Sequence, residues 1–216
     1  MAEAPAVAIL ARAPSSGGKR RLFAALGLHA DPTLLRALLL DTLDGALATG
    51  FRVLVGVEPA TAADEVRALV PPRVEVVPQT SGDLGDRMPA LMGIALARGA
   101  TAVLLVGSDL PDLSSEPLRD AVRVLQDEPH AVVLGPATDG GYYLVGATHV
   151  PDIFTGIDWG TAAVLEQTET AVARAGLVGR RVATQRDVDL PMDLGLVRAA
   201  RTRAWVEQSR ASGLRI

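Results

Sequence analysis

The sequence predicts an α/β fold: a mostly parallel sheet with helices on both faces, a three-layer α/β/α sandwich. Short apolar runs of strand length alternate with longer stretches of helical apolar spacing almost from end to end. The most apolar run, residues 102–106, shows no polar alternation, so both its faces are buried and it belongs at the centre of the sheet. A length of 216 residues suits one domain, 1–216, with a sizeable core.

The elements follow in order. Residues 7–10 read as a buried strand ending in a polar, Gly-containing loop, 14–19. Asp31 before Pro32 is an N-cap with Pro at the first helical position, and the Leu-rich helix 33–48 stops at Gly50. Residues 52–57 form a second strand, 64–70 a short helix and 74–77 a third strand closed by Pro78. Met88, Leu91, Met92, Ala95 and Leu96 sit at helical spacing, which predicts a helix over 84–98 capped by Asp83. After the central strand come a helix over 115–126 and a strand over 131–134. The polar turn Thr138-Asp139-Gly140-Gly141 then leads into a strand over 142–145. Helices over 161–175 and 191–209 flank a last strand near 181–184.

Composition narrows the function classes. Aromatic residues are only 3%, so the core is built from Ala, Val and Leu. A net charge of −4 with dispersed basic residues gives a nucleic-acid duplex little to hold. The absence of cysteine excludes disulfides, thiolate-bound metals and thiol nucleophiles. The early apolar run is broken by Arg12 and lacks a basic leader, and no uncharged run is long enough to span a bilayer, so a cytoplasmic protein is expected. His29, His130 and His149 lack metal-ligand spacing, and neither a Gly-x-Ser-x-Gly elbow nor a Gly-x-Gly-x-x-Gly fingerprint occurs.

In an open parallel sheet ligands bind beyond the carboxyl ends of the strands, which singles out the loops 14–21, 79–87, 107–112 and 136–141. The strongest signal is Gly107-Ser108-Asp109-Leu110-Pro111-Asp112. An acid at the tip of a buried strand is held rigidly and suits a hard divalent cation, Mg²⁺ or Mn²⁺, that bridges diphosphate oxygens. Alone, Asp109 is as readily a loop cap. A second acidic group, Asp187-Val188-Asp189, puts two carboxylates on one side of an extended segment, and either can complete the site, with Asp189 the expected ligand. Asp193 belongs to a first helical turn, and Pro111 turns Asp112 away.

In the first loop Lys19 and Arg21 are the phosphate binders and Arg20 faces solvent, while Arg12 pairs with an acid at the sheet end or contacts the ligand. The spacing is not that of a Walker loop. Gly82 and Arg87 border a helix start suited to an anion, and Ser108, Gly140 and Gly141 complete the binding set. Asp139 orients an acceptor hydroxyl or acts as its base, beside the plainer reading as a Gly-rich hairpin turn.

These blocks resemble a bacterial family of glycosyltransferase-A-fold proteins known as selenodomain-associated or arsenosugar-biosynthesis glycosyltransferases. The resemblance rests on Ala11-Arg12-Ala13-Pro14, Gly18-Lys19, Arg21-Leu22, Gly82-Asp83-Leu84-Gly85-Asp86-Arg87-Met88 and Gly107-Ser108-Asp109-Leu110-Pro111. It continues in Asp139-Gly140-Gly141-Tyr142-Tyr143-Leu144, Asp158-Trp159-Gly160-Thr161 and Asp187-Val188-Asp189-Leu190-Pro191-Met192-Asp193-Leu194. The plan is also similar to that of the nucleotidyltransferases of molybdenum-cofactor and F420 biosynthesis. It implies a nucleotide-diphospho-sugar transferase-like domain with a divalent metal on Asp109 and Asp189 and Lys19 and Arg21 near the phosphates. Two departures stand out: Arg20 replaces the family's Thr, and Asp158 stands where Pro often precedes the Trp.

Three functions are therefore open: sugar transfer from a nucleoside-diphosphate sugar to a small acceptor, with Asp109, Asp139 and Lys19 catalytic; nucleotidyl transfer from an NTP to a phosphorylated small molecule; or nucleotide binding without catalysis. The apolar, Ala/Leu-rich helices either pack a partner subunit as a homodimer or serve only the core.

Overall fold

The computed structural model describes residues 4–216; the first three residues of the expected domain lie outside the described residues. Seven strands form one sheet: β1 (Ala4–Arg12), β2 (Arg52–Glu58), β3 (Glu75–Pro78), β4 (Ala100–Gly107), β5 (Ala131–Pro136), β6 (Tyr142–Ala147) and β7 (Val178–Arg181), in the order β3-β2-β1-β4-β6-β5-β7. Only β6 runs antiparallel to its neighbours, and β4 is central, as its unbroken apolar run predicts.

Period-two alternation sends side chains to opposite faces. Val7 and Ile9 of β1, with Leu104 and Val106 of β4, join a core under α2 (Pro32–Leu47), α3 (Ala63–Leu69) and α5 (Ser115–Asp127). Ala6, Ala8, Val103 and Leu105 point the other way, into a core under α4 (Leu84–Ala97) and α6 (Val164–Arg174). That is the expected mostly parallel α/β/α sandwich. The expected caps form: Asp31 accepts from Thr33 N at 2.8 Å, and Asp83 and Asp86 make a reciprocal capping box.

A third cluster holds α1 (Arg20–Leu26), α7 (Pro191–Leu194) and α8 (Ala200–Ala211) against α2. The sequence reading lacks α1. Its seven residues carry too few turns for a periodic signal, and Leu22, Phe23 and Leu26 hold it by packing on Leu34 and Leu38. The expected helix 191–209 is two helices, because Asp112 accepts from Arg198 N at 3.0 Å and Ala199 N at 2.8 Å and holds the chain extended between them. Buried Asp41 of α2 then binds the start of α8, accepting from Thr202 N and Oγ1, each at 2.8 Å. The last strand lies at 178–181 rather than 181–184, although Val182 N still donates to Leu134 O. The helix expected from 161 begins at 164, after a turn in which Thr161 Oγ1 donates to Asp158 O. No described helix is long and apolar enough to cross a membrane.

Candidate active site

The chain leaves β1 toward β2 on one side and β4 toward the β5–β6 hairpin on the other, so the order reverses between β1 and β4. Beyond the carboxyl ends of these strands lies a cleft of about 470 Å³. Such a switch point is where open α/β sheets bind ligands.

Asp109 follows β4 and is fixed by its neighbours. Leu110 N donates to Thr42 Oγ1 of α2 at 3.0 Å, and Val188 N donates to Asp109 O at 3.0 Å. At Gly107 a Cβ would lie 2.6 Å from Asp109 Oδ1, so the carboxylate folds back only over a glycine. The Val188 hydrogen bond draws the second acidic segment to the first. Val188 is buried in the third cluster, and alternation therefore presents Asp187 and Asp189 to the cleft. Oxygens of Asp109, Asp187 and Asp189 all lie within 4.8 Å of one another.

The loop after β1 supplies the opposing charge. Gly17 and Gly18 have φ of +74° and +145°, and Lys19 follows at +45°, among the described residues the one positive φ outside glycine. This left-handed residue starts α1 and drives its side chain inward. Lys19 Nζ bridges Asp109 Oδ2 and Asp189 Oδ1, the latter at 2.6 Å. Arg21 reaches Asp189 Oδ2 at 2.5 Å with its side chain 72% exposed. Arg20 is exposed, as expected.

These pairings divide the acids. Burial alone would lower the Lys19 pKa, but Asp109 and Asp189 raise it above its ordinary value, so the ammonium stays charged. Burial works against the Asp189 carboxylate too, yet Lys19 and Arg21 hold its pKa low. Asp187 has no ion-pair partner among the described residues; burial, and after it the charge of Asp109, push its pKa up to about 6.

On the β2–β3 side Arg12 and Arg87 both bind Glu58 Oε2, at 2.7 and 3.2 Å. Gln79 Nε2 donates to Ala11 O and Gly56 O, at 3.0 and 2.7 Å, and ties three strand ends together. On the β5–β6 side lie Asp139, Tyr142, Trp159, Thr161 and Val164. Asp139 Oδ1 accepts from Gly141 N at 3.0 Å, the expected turn geometry.

Thus Arg12, Lys19, Arg21, Arg87, Ser108, Asp109, Asp139, Gly141 and Asp189 line one cleft, with Asp187 beside them. Gly82 and Gly140 do not line it. Gly82, at φ +112°, leaves room for Asp86 in the capping box, and Gly140, at φ +95°, lies where a Cβ would stand 2.4 Å from Ala162 O. Asp112 is turned away, as Pro111 implies, onto the α8 entry. Sequence reasoning missed Glu58, although an acid ending an apolar strand is the signal that finds Asp109. It also left Trp159 outside the site, since nothing local shows that residues 159–164 fold back over the cleft.

Residues 42–161 match the family model described as "Uncharacterized protein conserved in bacteria (DUF2064)". The chain is 34% identical over 165 residues to a phosphoenolpyruvate guanylyltransferase of Geodermatophilus obscurus, covering 74% of this chain and 71% of that protein. A proposed nucleotide-diphospho-sugar transferase from Desulfovibrio desulfuricans G20 superposes with a TM-score of 0.85 at 30% identity, over 97% of this chain and 96% of that one. A nucleotidyl transferase from Methanothermobacter thermautotrophicus shares the fold, with a TM-score of 0.66 at 19% identity over 94% and 100% of the two chains. At this level the expectation of a nucleotide-handling transferase is met, and the finer resemblance to one glycosyltransferase group is not resolved. With more than half its length matched by the model, the chain belongs to the bacterial family DUF2064.

Proposed function

We propose that this protein is a divalent-metal-dependent transferase that moves a sugar from a nucleoside-diphosphate sugar to a small acceptor. The observation that carries the reading is the convergence of Asp109, Asp187 and Asp189 beside Lys19 and Arg21 at the sheet's switch point. Three carboxylates with mutually close oxygens are a hard, all-oxygen donor set, which fits Mg²⁺ or Mn²⁺. Asp109 and Asp189 would hold the ion, with Asp187 as the third ligand. When bound, it supplies charge neutralisation of the leaving diphosphate, worth several kcal/mol.

The chain's own groups do the rest. Lys19 and Arg21 bind the diphosphate oxygens, and the nucleoside lies toward Arg12, Gln79 and Arg87. The acceptor oxygen bonds to the anomeric carbon as the bond from that carbon to the diphosphate breaks. The acceptor's proton passes to Asp139, whose Oδ2 accepts no hydrogen bond among the described residues. The protein works as one domain, in the cytoplasm, on small molecules alone.

Nucleotidyl transfer is the second reading, favoured by the guanylyltransferase relative. A thermal-shift screen of NTPs and nucleotide sugars with Mg²⁺ or Mn²⁺ separates the two. Sugar transfer requires stabilisation by a nucleotide sugar and release of nucleoside diphosphate. Stabilisation by NTPs alone, with release of pyrophosphate, would overturn it. The metal assignment fails if Asp109→Ala and Asp189→Ala both bind nucleotide plus Mn²⁺ as tightly as the parent in calorimetry.

A further inference from the structure

We propose that the acceptor half of the cleft takes an uncharged or cationic, hydroxyl-bearing ring compound and rejects phosphorylated and carboxylated ones. This inference rests on the donor reading above and adds the chemical class of the second substrate.

The charges lining the cleft are unevenly placed. Its four cations, Arg12, Lys19, Arg21 and Arg87, come from the end of β1, the loop after it and the start of α4. Each is already bound to an acid: Arg12 and Arg87 to Glu58, Lys19 and Arg21 to the acidic segments. All four belong to the nucleotide side. The β5–β6 side and residues 159–164 contribute no Lys or Arg to the lining among the described residues.

What that side offers instead is an acid and an apolar wall. Asp139 is exposed and has no ion-pair partner among the described residues. It lines the cleft on the side where the β5–β6 turn meets residues 159–164. An anionic acceptor placed beside Asp139 meets a like charge, and the β5–β6 side supplies no Lys or Arg to offset it among the described residues, whereas an amine or a hydroxyl finds an acceptor of hydrogen bonds. Trp159 and Tyr142, half-buried against the second core, line this side with Val164 and make it mostly carbon. A ring that is hydroxylated at its rim and carbon-bound on its face matches both features. Phosphoenolpyruvate, the compound in the guanylyltransferase relative's name, carries a phosphate and a carboxylate and matches neither.

The test uses the full chain with Mn²⁺ and whichever of GDP or UDP stabilises it more. Saturation-transfer NMR titrations compare methyl β-D-glucopyranoside, glucosamine, glucose 6-phosphate, glucuronate and phosphoenolpyruvate. The glucoside and glucosamine should bind at least tenfold more tightly than the three anions, with the strongest saturation on ring C–H protons. Asp139→Lys, an exposed change, should invert the order, and Asp139→Asn, which can keep the turn hydrogen bond, should narrow the gap. Anions binding as tightly as the neutral sugar, no sugar binding at all, or an order unmoved by Asp139→Lys would each overturn the inference. Nucleotide binding in the same samples keeps the failures apart. If GDP and UDP bind with Mn²⁺ and the acceptor order is wrong, only this inference falls; if neither binds, the donor reading falls with it.

Discussion

Replacing Asp187 by Asn should make the metal-free protein more stable and the metal-bound protein less so. Asp187 is the member of the acidic triad with no cation of its own, and its pKa rises from 3.8 to about 6, first through burial and then through Asp109. The sign follows from proton linkage. A carboxyl with a raised folded-state pKa binds its proton more tightly in the folded than in the unfolded chain, so its ionisation costs stability. That cost is absent below about pH 4, grows as pH rises, and is complete above about pH 6. At about 1.36 kcal/mol per pKa unit the ceiling is about 3 kcal/mol. Asp187 is half-buried, so water screens part of the field and about 1–1.5 kcal/mol is expected.

Urea unfolding of the parent and Asp187→Asn proteins in EDTA, at pH 7.5 and pH 4, measures this directly. The variant should gain about 1 kcal/mol at pH 7.5 and only about 0.2 kcal/mol at pH 4. Adding Mn²⁺ at a hundred times its Kd should stabilise the parent by about 2.7 kcal/mol, and the variant by clearly less at the same concentration. A variant that is less stable than the parent at pH 7.5 refutes the electrostatic account. Equal stabilisation of both proteins by Mn²⁺ refutes the role of Asp187 as a ligand.

Lys19→Met should lower the transfer rate by about 10²–10³-fold with the fold intact by circular dichroism, because a charge aimed at the leaving diphosphate is lost. A loss under tenfold in steady-state assays would place Lys19 outside the chemistry. Gly140→Ala should cost about 3 kcal/mol, from the left-handed φ together with the contact against Ala162 O. Calorimetry should then show a Tm lower by about 6–12 °C, and a drop below 2 °C would mean that the turn relaxes freely.

The features legible in the sequence are those set by local periodicity. Residues 102–106 read as a central strand because an unbroken apolar run needs two covered faces, and β4 has them. Asp31 and Asp83 read as caps because a capping side chain reaches only two or three residues along the chain. What stayed hidden depends on partners distant in sequence. The break between α7 and α8 is set by Asp112, some 86 residues away, and no window around Gly195 contains that acid. The choice between Asp187 and Asp189 had no local answer either, since both lie on one side of the same extended segment. Their difference appears only when Lys19 and Arg21, 170 and 168 residues away from Asp189, take that acid and leave Asp187 unpaired. The motif Gly17-Gly18-Lys19 suggests a phosphate loop, yet its letters do not reveal that Lys19 itself adopts the left-handed conformation. That conformation costs a non-glycine residue about 1 kcal/mol or more. It is retained where the turn into α1 sends the ammonium inward to two carboxylates, the position from which it can also meet a diphosphate.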